Sequence, residues 1–350
     1  MKRLDVAVIG AGFIARTHLP AWIALGARIR IFSTDDQAGL LAEEFGLTEA
    51  ACLEEALDGA SVADICTPTT THRDIALAAF AAGADVLCEK PLALTPADAL
   101  EMAEAAHKAG RLLYPGHVVR FFPAYARLRS IIGSGALGRP AVARFTRTGR
   151  YPTWSPWFAD TALSGGIVTD QMLHDMDIAR WLFGEVVSIH ATQCGHRATP
   201  ASASASASAS ASEGPVATGS ATLTHDSGVI TQVLGVWGPP ATPFRYTFHV
   251  AGSNGTLTHD SLAHPSLRLT GTAGSEAGAV PTGDFGEDPF TAQIRELATA
   301  FQGGPAPRVN ALDGVAAVKI AAAARRSAAT GLAVAVHDAA PRTLTEGSPR

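Results

Sequence analysis

"VAVIGAGFIA" occupies residues 6–15, and its reading decides the first half of the fold. A short apolar run ends in Gly10-Ala11-Gly12, and Phe13, Ile14 and Ala15 lead into helix-compatible sequence. This order predicts a buried strand, a tight turn and a helix. The spacing is G-x-G-x-x-A, a variant of the glycine-rich dinucleotide turn. Gly10 permits the turn and Gly12 lets a pyrophosphate approach the backbone. The helix N-terminus then offers its N–H groups to the anion. Gly10, Gly12, Phe13 and Ile14 are therefore candidate cofactor-binding residues.

Working outward, "RIRIFS" (28–33), "VADICT" (62–67), "ADVLCE" (84–89) and "RLLYPG" (111–116) read as further strands. Helical stretches at 13–25, 37–46, 73–82 and 96–109 separate them, with Gly46 as a stop signal and Thr95-Pro96 as a start. Strands alternating with helices predict an α/β domain, a doubly wound parallel sheet over residues 1–121. The second strand ends in Ser33-Thr34-Asp35, where a ribose-reading acid is expected. Ser33 in that place tilts the expected cofactor from NAD toward NADP, whereas Asp35 would read the NAD ribose if the turn runs longer.

After residue 121 the pattern changes. Strand-like runs at 141–148, 185–193, 216–224, 228–236 and 244–250 predict a large, mostly antiparallel open sheet. "THDSG" (224–228) is a hairpin turn between two of them. Helices are expected at 123–132, 170–182, 289–302 and 311–329, before a last strand in "TGLAVAV". Residues 122–340 are thus an α+β domain for substrate and oligomerisation, and the Ala-Ser repeat at 201–212 is a flexible loop within it.

Composition narrows the function. The 350 residues are 47% hydrophobic and 17% charged, enough for about two cored domains. A net charge of −5 excludes a basic nucleic-acid footprint. No run is apolar and long enough for a membrane span, and Asp5 and the paired glycines break the first apolar stretch too early for a signal peptide. Cys52, Cys66, Cys88 and Cys194 form no C-x-x-C pair, which argues for reduced thiols in a cytoplasmic protein.

"SGGIVTDQMLHDMD" (164–177) carries the second chemical signal. Asp170, His174 and Asp177 stand at steps of four and three, one face of a helix. Such a set is a metal site, an acid–base device or a polar stripe. Its double glycine allows close backbone approach.

Several motifs in order give the chain a family resemblance: "TPTTTH" (67–72), "CEKPLA" (88–93), "GHVVRFFPAY" (116–125), "GALGRP" (135–140), the Asp170–His174 segment, "AGSNGTL" (251–257) and "SAATGLAVAV". Together they resemble the glucose–fructose oxidoreductase / inositol 2-dehydrogenase family (Gfo/Idh/MocA) over essentially the whole chain. The resemblance implies an NAD(P)-dependent oxidoreductase acting on a secondary alcohol of a cyclic polyol, sugar or sugar derivative. It implies Lys90 as the active-site lysine, Glu89 beside the nicotinamide ribose, and a Lys90–Pro91 bond that is often cis. Thr67, Pro68 and His72 would border the cofactor. His174 would be the general acid/base, suited by an ordinary pKa near working pH, and Asp170 its orienting partner. Lys90 would stabilise alkoxide charge. That charge opposes a metal ion, so no metal is expected, and Asp177 becomes structural. Arg120, His117, Trp157 and Asp170 are candidate substrate contacts, with Trp154 weighed beside Trp157. Homodimers or homotetramers through the second sheet are the expected assembly. Two rivals stand beside this reading: a non-catalytic cofactor-binding sensor, and a glycosidase or lyase that uses tightly bound NAD.

Overall fold

The computed structural model describes residues 3–153, 156–196, 215–263, 266–271, 278–279 and 287–336. The Ala-Ser repeat and Trp154 lie outside them. Of the described residues, those within Met1–Tyr125 and Asp284–Lys319 form one compact unit, and those within Ala126–Gly283 and Ile320–Asp338 form a second.

The first unit begins β1 (Asp5–Ile9), α1 (Phe13–Ala24), β2 (Arg28–Phe32), α2 (Gln37–Phe45), β3 (Thr48–Glu49) and α3 (Leu53–Leu57). It continues β4 (Val62–Ile65), α4 (His72–Ala81), β5 (Asp85–Cys88), α5 (Pro96–Ala109) and β6 (Leu113–Pro115). All pairings are parallel and the strand order is β3-β2-β1-β4-β5-β6, so the winding reverses between β1 and β4. Local chemistry sets the boundaries as expected. Thr95 Oγ1 accepts from Asp98 N–H at 3.1 Å to cap α5, and Gly46 ends α2 in the left-handed region at φ 66°.

Side chains alternate across this sheet because the pleat does. Ala7, Ile9, Ala63, Ile65, Val86 and Cys88 bury against Phe80 of α4 and Met102 of α5. Val6, Val8, Ile29, Ile31, Val62 and Leu87 bury against Leu19 and Trp22 of α1 on the opposite face. Each fully buried Leu or Ile contributes about 1.5–3 kcal/mol. A later helix, Pro289–Phe301, joins this second layer through Ile294 and Leu297. An expected boundary at residue 121 does not include that return, which only the buried contacts reveal.

The second unit takes its elements from α6 (Pro123–Gly133), β7 (Pro140–Arg150), α7 (Thr161–Ser164), α8 (Gly166–Asp170), α9 (Met172–Phe183), β8 (Val186–His196), β9 (Val216–His225) and β10 (Ile230–Gly238). There follow β11 (Arg245–Gly252), β12 (Gly255–Asp260), β13 (Leu267–Gly271) and β14 (Gly278–Ala279). After the first unit's α10 (Pro289–Phe301) comes α11 (Ala311–Thr330), whose residues to Lys319 belong to the first unit and the rest to the second, and then β15 (Val334–Ala335). The nine strands run β14-β13-β12-β11-β7-β10-β9-β8-β15. They are antiparallel except that β7 and β10 pair in parallel. Asp226-Ser227-Gly228 turns β9 into β10, with Gly228 at φ 84°. The strands β12, β13 and β14 lie beyond the expected set. Only β14, two residues long, is too short to carry a local signal. Among the described residues no helix is long and apolar enough to cross a membrane.

Candidate active site

In the first unit the predicted loops all follow carboxyl ends of strands. Gly10 follows β1 at φ 99°, and a Cβ there would lie 2.8 Å from the Cys66 carbonyl oxygen, so only glycine fits. Gly12 and Phe13 are exposed and Ile14 is half-buried. No side chain caps the N-terminus of α1 and no acid sits in its first turn. By contrast α3, α5 and α10 are capped by Cys52, Thr95 and Asp288. An open, uncapped helix start with an unobstructed Gly12 fits a pyrophosphate.

Beyond β2, Ser33 Oγ donates to Asp35 Oδ1 at 2.7 Å and the Gln37 N–H reaches the same oxygen at 3.2 Å. Thr34 is exposed. Asp35 therefore stands fixed on the rim of a cleft of about 280 Å³ lined also by Ala11, Gly12, Phe13, Arg16, Gln37 and Leu41. A comparable cleft near Leu53, Asp58 and Ala82 lies away from these loops.

Thr67 is half-buried and Pro68 exposed after β4. His72 is buried, with ring nitrogens 3.0 Å from the Pro91 carbonyl and 2.9 Å from the Thr67 carbonyl. Burial holds its pKa below the ordinary value. His72 thus braces one loop against the next, and its ring is consumed in that work. The Lys90–Pro91 peptide is cis. Lys90 is half-buried, whereas Glu89 is 6% exposed.

In the second unit the expected single helix over 170–182 is broken. α8 ends at Asp170, Gln171 intervenes, and α9 starts at Met172. Gly165 and Gly166 both take positive φ, 72° and 68°, and a Cβ on Gly165 would meet Thr169 at 2.5 Å. Both glycines are buried, so their job is the turn from α7 into α8. Across residues 164–179 every side chain is buried except Asp170 and His174, which are half-buried. Asp177 is buried, 2% exposed. The apparent trio therefore resolves into an accessible pair and a buried acid.

The remaining candidates are placed as follows. Arg120, 1% exposed, gives Nη1 to the Arg308 carbonyl at 2.7 Å and to Asp313 Oδ2 at 3.0 Å. Nη1 is thus tied to the segment leading into α11 and to that helix's first turn. His117 is 2% exposed. Trp157 is half-buried and stacks on Phe158 at 3.9 Å between centroids.

Two buried ionic clusters escaped the sequence reading. Arg147 of β7 binds Asp175 of α9 through two bonds of 2.9 and 2.8 Å, both residues buried. Its signal is an arginine following Ala143 and Phe145 on the inward face of the strand. His18 of α1 lies 3.0 Å through Nδ1 from Asp64 of β4, and Trp22 donates to the same carboxyl at 2.8 Å. Here the signal is a carboxylate inside a strand buried on both faces. With Cys66, His18 and Asp64 lie close enough to hold a metal. The imidazole nitrogen that faces the group is already engaged with Asp64, and burial pushes the thiol well above its usual pKa, so the donor set suits a hydrogen-bonded cluster better.

Comparison with known proteins follows the same division. The NAD-binding Rossmann-fold model of the oxidoreductase family GFO/IDH/MocA matches residues 4–117, and the model of that family's C-terminal domain matches residues 125–258. The chain is similar to inositol 2-dehydrogenase 2 of Saccharopolyspora erythraea, 30% identical over 94% of each chain. It is likewise similar to 1,5-anhydro-D-fructose reductase of Ensifer adhaerens, 30% identical over 94% of this chain and 98% of that one. Levoglucosan dehydrogenase in complex with NADH and L-sorbose shares the fold, with a TM-score of 0.82 at 22% identity over 97% of this chain and 100% of that one. GenD2 from gentamicin A biosynthesis, in complex with NAD, gives 0.79 at 27% identity over 97% of both.

Proposed function

The chain belongs to the GFO/IDH/MocA oxidoreductase family, and from that premise we propose that it moves hydride between a nicotinamide cofactor and a secondary alcohol of a cyclic polyol, sugar or sugar derivative. The observation that carries the reading is the exposure of Asp170 and His174 alone in an otherwise buried run. A bound nicotinamide supplies the hydride acceptor. His174 takes the hydroxyl proton, Asp170 fixes its ring orientation, and Lys90 hydrogen-bonds the substrate oxygen as charge develops. Gly10, Gly12, Phe13 and Ile14 hold the pyrophosphate side, while Ser33, Thr34 and Asp35 face the adenosine ribose. Thr67, Pro68 and Glu89 border the nicotinamide. The relatives' named substrates, inositol and an anhydro-sugar, support a polyhydroxylated ring. Association through the nine-stranded sheet, where Leu234 of β10 is exposed, and a cytoplasmic location complete the proposal.

Lys90→Ala and His174→Ala should each lower turnover by about two orders of magnitude or more while cofactor still binds. Steady-state rates on a polyol panel, read at 340 nm, test this, and near-normal activity in either variant overturns the role. For the cofactor this reading favours NAD over the NADP tilt drawn from Ser33. Asp35, pinned by Ser33 and Gln37 on the cleft rim, suits a ribose hydroxyl and repels a 2′-phosphate. NAD should therefore exceed NADP in kcat/KM, and Asp35→Ala should narrow the gap. An NADP-preferring wild type would sink the preference.

A further inference from the structure

His18, Asp64 and Glu89 come from α1, β4 and the residue just after β5, far apart in sequence and together in the first unit. His18 and Asp64 are fully buried. Nδ1 of His18 faces Asp64, whose carboxyl also receives the Trp22 indole N–H. The other ring nitrogen, Nε2, points at Glu89 Oε1 at 3.6 Å. Among the described residues neither of these two buried atoms has a hydrogen-bond partner. Closing the gap by about 0.4 Å brings them to bond length. The rest of Glu89 is already held. Its Oε2 accepts the Lys90 N–H at 3.1 Å, its own N–H donates to Ile65 O at 3.0 Å, and a Cβ on Gly116 would lie 2.3 Å from Oε1.

We propose that His18 is a positioning residue: braced on Asp64, it holds the Glu89 carboxyl in place, and Glu89 in turn fixes the backbone amide of Lys90. The inference rests on the reading of Glu89 and Lys90 as part of the cofactor site. A purely structural histidine would bond Asp64 and need nothing at Nε2. This one aims its free nitrogen at the one oxygen of Glu89 that lacks a partner.

The electrostatics run the same way. Burial alone would pull the His18 pKa down, but Asp64 by charge and hydrogen bond, then Glu89 and Asp288, raise it above the ordinary value. Around the ring stand Asp64 of β4 and Cys66 just beyond it, Glu89 beyond β5, Asp288 at the start of α10, and the Phe290 ring at 5.8 Å. Burial lifts Glu89 as well, against the charges of His18 and Lys90. A protonated His18 donates at both nitrogens and so serves both carboxyls.

Imidazole ¹⁵N titration of the full chain without cofactor tests the contact. The His18 signal is identified by its proximity to the Trp22 indole N–H. Its pKa should fall by about one unit or more in Glu89→Gln, and an unchanged value overturns the proposal. Calorimetric NAD⁺ binding tests the consequence. His18→Gln and Glu89→Gln should each weaken binding about tenfold, and the double variant no further, whereas additive losses overturn the coupling. If His18→Gln does not fold, the wild type against Glu89→Gln titration decides alone. A wild type that binds no NAD⁺ overturns the cofactor reading instead, and the imidazole titration still judges the contact.

Discussion

Lys90 and His174, one in each unit, both adjoin a residue held in a buried ionic cluster, and the two clusters are built on different plans. Asp175, next to His174, is clasped by Arg147 through two parallel bonds between β7 and α9. Glu89, next to Lys90, keeps one oxygen 3.6 Å from an imidazole that is itself anchored elsewhere. An arginine keeps its proton across the working pH range, and a histidine does not. The first cluster is a fixed clamp that sets how α9 lies on its sheet. The second is a contact whose strength depends on a proton. A difference of this kind places rigidity under the proposed base and adjustability beside the proposed cofactor loop.

The largest expected effect breaks the clamp. Asp175→Asn leaves Arg147 charged and buried without its partner and should cost about 3–5 kcal/mol. Urea unfolding measures it as a fall in midpoint at constant slope. Asp64→Asn should cost less, about 1–3 kcal/mol, because His18 can shed its proton while an arginine cannot. Equal losses in the two variants would erase the contrast.

A subtler effect is pH dependence. The folded His18 binds its proton more tightly than the unfolded one, so its stabilisation is complete below about pH 6.5. It is lost as pH rises through the higher native value. His72, His225 and His259 are shifted downward, chiefly by burial, and act in the opposite sense. The difference in melting temperature between wild type and His18→Gln, followed from pH 6 to pH 9, isolates the term. It should shrink as pH rises, and a constant difference would mean the imidazole stays in one charge state.

The smallest effect comes from a third pair that lies at the surface. Arg245 holds Asp260 at 2.9 Å and draws its pKa down to about 2. That contribution is present above the unfolded value near 3.8 and fades as pH falls toward about 2. Solvent and salt screen such a pair. Asp260→Asn should therefore barely change the melting temperature at neutral pH. A loss rivalling that of Asp175→Asn would show that burial is not what separates the three.

Much of the first unit was legible because its signals are local. The turn at Gly10, the cap at Thr95 and the stop at Gly46 each depend on a few adjacent residues, as does the hairpin at 226–228 in the second unit, and a short window contains the whole cause. Spacing made Asp170, His174 and Asp177 legible as one helical face, and the family resemblance singled out Asp170 and His174 within it. The break at Gln171 was not, because residues 170–182 carry an unbroken helical pattern. Nor was the burial of Asp177, since only packing against the sheet distinguishes one polar face position from the next. Arg120 and His72 were singled out as site residues, and the fold shows each engaged in bracing the loops around it.

Local sequence is enough for the parallel α/β half, the glycine-rich turn and the shared helical face of Asp170, His174 and Asp177, because neighbouring residues suffice to define a strand end or a helix face. The tertiary structure decided what the charges do. His18 meets Asp64 across 46 positions and Arg147 meets Asp175 across 28, through the pairing of β1 with β4 and the packing of α9 on β7. The parallel pairing of β7 with β10, and the return of α10 to the first core, belong to the same class. A buried charge needs its partner within bonding distance, and which partner arrives is set by strand order and layer packing, properties that no short stretch of chain contains.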